Sequence, residues 1–121
     1  MSELKAVSKL IPSVKRSGDA IVAVIAGEID LHNSPDLRGD LLRFVEEQKP
    51  PKLVLNLAQV PYMDSSAIAV LVEILQKMRK TGGKVWLTNL QPRVQGLIEI
   101  ARLGTIFAIA RDESEALSAK P

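Results

Sequence analysis

Seven apolar residues in a row, Ala20–Ala26, stand between the turn signal Ser17-Gly18-Asp19 and Gly27. A short run without alternation fits a strand covered on both faces. Lys52–Leu57 (KLVLNL) and Lys84–Leu90 read the same way. Between these runs the period changes. Leu37, Leu41, Phe44 and Val45 recur at helical spacing. Asn33 or Ser34 can cap that helix, Pro35 suits its first turn, and Pro50-Pro51 stop it. A longer helix opens at Asp64-Ser65-Ser66 and runs to about Lys80, with Gly82-Gly83 past its end. Its predicted inner stripe is Ile68, Leu71, Val72, Leu75 and Met78. Pro92 begins a third helix, with Val94, Leu97, Ile98 and Ala101 on one face and Gly104 beyond it. Thr105–Ile109 reads as a short strand, and Asp112, Glu113 and Glu115 open a terminal helix, acids being favourable in a first turn. Leu10–Lys15, broken by Pro12, is at best an edge strand.

The order β-β-α-β-α-β-α-β-α predicts an α/β fold with a mixed, mostly parallel sheet of about five strands and helices packed on it. No repeat or linker divides the chain, so residues 1–121 read as a single domain. In a parallel sheet the loops that leave strands for helices emerge at one end, and ligand sites lie there. Those loops are Gly27–Ser34, Ala58–Ser65 and Asn89–Pro92. Asp30, His32, Asn33, Asp64, Ser65, Ser66 and Asn89 are therefore expected to be neighbours.

Composition narrows the chemistry. Aromatics are only 3% of the chain, so the core must be built from Leu, Ile, Val and Ala. Sixteen basic residues against fourteen acidic ones leave +2, too little to imply nucleic acid. Lys77, Arg79, Lys80 and Lys84 cluster at a helix end, where cations belong. The absence of cysteine removes disulfides, thiolate nucleophiles and Cys-ligated metals. No apolar run approaches the roughly 20 residues needed to span a bilayer, and Met1–Lys9 is polar and mixed. A cytoplasmic protein without membrane insertion is expected. No Walker-type loop, metal cluster or acid/base pair is present, so neither cofactor nor catalytic residue is expected. His32, the only histidine, could join Asp30 or Asp64 and a serine in a triad, but the strained Gly-x-Ser-x-Gly elbow is missing.

Two features keep a sharper reading open. Asp64-Ser65-Ser66 is good capping chemistry, and the same helix start offers free N–H groups and a positive dipole end to an anion. Asp30 likewise suits a turn. On the long helix, Ala67, Val70 and Ile74 form a second apolar stripe, assigned either to a neighbouring helix or to a partner surface beside Ser65. Glu73 and Lys77 stand at i, i+4 and read as a local pair.

The run Tyr62-Met63-Asp64-Ser65-Ser66-Ala67-Ile68-Ala69-Val70-Leu71 resembles the switch motif of the anti-sigma factor antagonists of the STAS family. Gly27-Glu28-Ile29-Asp30 is similar to that family's turn after the second strand, and the element order matches over about residues 9–117. The resemblance implies a partner switch. The serine after the Asp, here Ser65, is phosphorylated by an anti-sigma factor that is also a serine kinase. The unmodified form binds that kinase, the phosphorylated form releases it, and a phosphatase resets the serine. It also implies no enzymatic activity and no direct contact with nucleic acid. Asp30, Asn33, Val70 and Ile74 are the expected partner-binding residues, around a switch of Asp64, Ser65, Ser66 and Ala67. Ala67 departs from the family's glycine, a change that a helix favours. A STAS subunit of another assembly, such as a stress-sensing complex or a lipid-transport ATPase, is the alternative.

Overall fold

Residues alternating along Ala20–Ala26 are covered on opposite sides, which sets the architecture. Ile21, Ala23 and Ile25 join one large core, whereas Val22 joins a smaller one on the other face. The computed structural model describes residues 2–4 and 6–119. Its elements are β1 (Ser2–Leu4), β2 (Ser13–Ser17), β3 (Ala20–Ala26), α1 (Ser34–Gln48), β4 (Lys52–Gln59), α2 (Ser65–Lys80), β5 (Lys84–Thr88), α3 (Pro92–Ile100), a 3-10 turn (Leu103–Thr105), β6 (Ala108–Ala110) and α4 (Glu113–Ser118).

The strands lie in chain order in one six-stranded sheet. β1, β2 and β3 pair antiparallel, and β3 to β6 pair parallel. The expected α/β fold with a mixed sheet is therefore present, with one strand more than predicted. Ser2–Leu4 is too short to display a period, and by pairing outside β2 it makes β2 an inner strand rather than an edge. β2 also starts after Pro12, whose ring nitrogen has no hydrogen to give a ladder.

One face carries α1, α2 and α3. Leu37, Leu41, Phe44 and Val45 of α1 and Val94 and Ile98 of α3 are buried there, against Leu53, Leu55 and Leu57 of β4 and Leu87 of β5. The other face is closed by α4, where Ala116 and Leu117 cover Val22, Val54 and Trp86. Lys52 lies over the Trp86 ring, 5.4 Å from its centre. Burial lowers the pKa of Lys52, and the nearby Lys84 lowers it further.

Helix ends follow the local chemistry. α2 closes with three cations in its last turn, then Gly82 at φ 77, a conformation that a side chain would strain. α3 ends earlier than expected. Arg102, not a glycine, takes the left-handed position at φ 56, and Phe107 N–H closes back on the Leu103 carbonyl at 2.9 Å. Leu103 and Phe107 are thereby drawn into the core, and the last strand begins at Ala108 instead of Thr105. No helix among the described residues is long and apolar enough to cross a membrane.

Candidate functional site

Asp64 caps α2 from an extended backbone. Its carboxylate accepts the Ser66 N–H at 2.9 Å and the Ser66 hydroxyl as well. That hydroxyl is the main cause holding the Asp64 carboxyl below its ordinary pKa, helped by the N–H groups of Ser66, Ala67 and Leu31 and opposed by partial burial. The two adjacent serines are thus unlike. Ser66 is half-buried and its hydroxyl is committed to the cap. Ser65 is exposed, and no hydrogen bond to its hydroxyl is found among the described residues.

The loop between β3 and α1 is joined to this cap by backbone. Gly27, at φ 99, turns the chain out of β3, and its N–H donates to the Gln59 carbonyl. Ile29 pairs with Met63 as an isolated parallel bridge, donating to Tyr62 O and accepting from Asp64 N, each at 3.1 Å. Asp30 and Asn33 then lock the turn reciprocally. The Asp30 carboxylate accepts the N–H of His32 at 2.9 Å and of Asn33 at 3.3 Å. The Asn33 side chain accepts the Asp30 N–H at 2.9 Å and donates to Glu28 O at 2.8 Å. Asn33 sits at the N-cap of α1 but makes no side-chain cap bond, because its amide is used inside the loop. His32 is exposed at the same turn.

The third loop meets the second through other residues than expected. Gln91 Nε2 donates to Ala58 O at 2.7 Å, and the Arg93 guanidinium stands 4.6 Å from the centre of the Tyr62 ring. Asn89 adopts the left-handed conformation, its N–H donates to Arg111 O, and no hydrogen bond joins it to Asp64 or Ser65 among the described residues. Its side chain lines a groove of about 650 Å³ with Leu90, Ile98 and Ile109. Backbone bonds through Ile29 thus join the turn of Asp30, His32 and Asn33 to the cap of Asp64 and Ser66, with Ser65 exposed at that cap, and none of these bonds includes Asn89. Among the described residues no cluster of three metal-ligating side chains exists.

The second apolar stripe of α2 is not a surface. Ala67 is 1% exposed, Val70 4% and Ile74 0%, all within the large core. Residues 67, 70, 71, 74, 75 and 78 make one stripe at i, i+3, i+4, i+7, i+8 and i+11. The predicted inner stripe was rotated by including Ile68 and Val72, which sit half-buried at its margin. Val70 and Ile74 are thus removed from the expected partner-binding residues. The apolar residues that α2 leaves open beside Ser65 are Ala69, which is exposed, and Ile68 and Val72, which are half-buried. Glu73 and Lys77 form no salt bridge with each other, although the Lys77 charge helps to lower the Glu73 pKa. Glu73 takes Arg38 of α1 at 2.6 and 2.7 Å, and Lys77 takes Glu46 of α1 at 2.7 Å. These cross-helix pairs hold the acids below their ordinary pKa.

What sequence reasoning missed is Leu31, which stands 73% exposed between Asp30 and His32. The available signal was a lone large apolar residue inside a run of turn formers.

A family model described as the STAS domain matches residues 12–116. The chain is 35% identical over 97 residues to the anti-sigma-B factor antagonist of Bacillus subtilis, an overlap of 80% of this chain and 87% of that protein. It is similar in structure to an anti-sigma factor antagonist from Mycobacterium paratuberculosis, with a TM-score of 0.79 and 24% identity over 98% of this chain and 97% of the other. It is also similar to the Bacillus cell fate determinant SpoIIAA in its phosphorylated form, with a TM-score of 0.65 and 20% identity over 86% and 94%. The two structural likenesses are likenesses of fold.

Proposed function

The chain belongs to the STAS domain family, and from that premise we propose that it is an anti-sigma factor antagonist switched at Ser65. Unmodified, it binds an anti-sigma factor that is a serine kinase and so frees a sigma factor in the cytoplasm. Phosphorylated on Ser65 it releases that kinase, and a phosphatase returns it to the binding form. The observation that carries this reading is the contrast between the two serines: Ser65 is exposed at the helix start, while the Ser66 hydroxyl is spent on Asp64.

The physical chemistry of such a switch is consistent. A phosphate adds about −1.5 to −2 charges. At the start of α2 that charge meets N–H groups and the positive end of the helix dipole, so the free domain accepts it. Inside a packed interface the same group adds bulk beside Asp64 and needs new partners or desolvation. The domain can stay folded while the complex fails. Ala67, where the family carries glycine, turns its methyl into the core at 1% exposure. It therefore adds nothing to the surface that a kinase meets.

Incubation with ATP and the serine kinase encoded nearest to this chain, followed by phosphopeptide mapping, tests the assignment. Phosphate is expected on Ser65 and is expected to vanish in Ser65→Ala. Modification confined to Ser66, or persisting in Ser65→Ala, contradicts it.

A further inference from the structure

A single exposed apolar side chain needs no explanation on its own, since proteins carry many. Leu31 differs in how it is held and in what stands beside it. Of the large apolar side chains exposed among the described residues, Ile100 ends α3 and Ile109 lies on β6, whereas Leu31 alone belongs to the loop beside the cap of α2. The residues flanking it face into the turn: Asp30 and Asn33 spend their side chains on backbone groups of residues 28 to 33. Ile29 is fully buried and bridged to Met63, and Asp64 N–H donates to its carbonyl. The loop is therefore fixed to the start of α2, and it presents the Leu31 side chain outward at 73% exposure.

We infer that Leu31 is the apolar anchor by which the anti-sigma factor kinase grips this chain, seated in an apolar socket on the kinase beside its catalytic cleft. This rests on the antagonist reading, and it names the contact that supplies affinity. A kinase whose cleft reaches Ser65 must also cover the loop that the Asp64 N–H holds through the Ile29 carbonyl at 3.1 Å, two residues before Leu31. With Val70 and Ile74 in the core, the apolar side chains that α2 offers there are the half-buried Ile68 and Val72 and the small, exposed Ala69. An anchor already ordered by the loop loses little freedom on binding, so more of its burial appears as affinity. Leu31 and Ser65 divide the work: the leucine holds the partner, and phosphate on the serine expels it.

The test is calorimetric titration of the kinase with the unphosphorylated chain, with Leu31→Ala, and with Ile100→Ala as a still more exposed control. Leu31→Ala is expected to weaken binding about tenfold or more. Its melting temperature should be unchanged, and its phosphorylation by the kinase should show a raised KM and an unchanged kcat. Ile100→Ala should bind as the wild type does. Wild-type binding with Leu31→Ala within about twofold of it overturns this inference alone. No binding by the wild type overturns the antagonist reading and this inference together.

Discussion

Ser65 and Ser66 carry the same hydroxyl, and one side chain, Asp64, makes them different. By accepting both the N–H and the hydroxyl of Ser66, it caps the helix and withdraws that serine from the surface. Its folded pKa lies below the ordinary carboxylate value, chiefly because of the Ser66 hydroxyl. The sign follows by linkage. A depressed carboxyl stabilises the fold above the unfolded pKa of about 4 and loses that contribution as pH falls through the folded value. Asp64→Asn, which cannot ionise, should therefore show a shallower fall of melting temperature on the acid side than the wild type, in melts between about pH 2 and 7. Equal acid slopes would mean that the carboxylate is not held by the cap. Asp64 as a cap was legible because Asp before a helical period has few other roles. The reciprocal lock of Asp30 and Asn33 was not, because it depends on the path of a loop that contacts distant in sequence set, the Ile29–Met63 bridge and the Gly27 N–H on the Gln59 carbonyl.

The helices were legible to within a turn, and the rotation of α2 was not. Its apolar residues cover so much of the circumference that a stripe through Ile68 and Val72 fits the period nearly as well as the true one. Contact with both the sheet and α1 decides between them, since Glu73 and Lys77 reach across to Arg38 and Glu46. Val70→Lys should then lower the melting temperature as far as Leu71→Lys does, because each places a charge in the core. Ile74→Ala should cost about 2–5 kcal/mol in denaturant unfolding. A Val70→Lys protein that melts like the wild type would put residue 70 back at the surface. The strands that read as continuous apolar runs were found in place, as β3 shows. β1 and the start of β6 escaped because three residues carry no period and because Leu103 and Phe107 are spent on a turn.

At the scale of the whole molecule, chain order places the switch. Four parallel strands send four loops to one end of the sheet, and backbone bridges join the first two of them around Asp64. Nothing in that arrangement requires the fold to change when Ser65 is modified, since Ser65 is exposed and the core lies beneath Ala67. The account therefore separates stability from recognition: phosphate alters what the surface can bind and leaves the domain folded. Titrating the anti-sigma factor kinase with this chain before and after stoichiometric phosphorylation of Ser65, with melting curves of both forms, tests that directly. Tight binding by the unmodified chain, its loss on phosphorylation and a melting temperature that does not fall are the predicted results. Equal affinity of the two forms, or release accompanied by unfolding, would contradict the account.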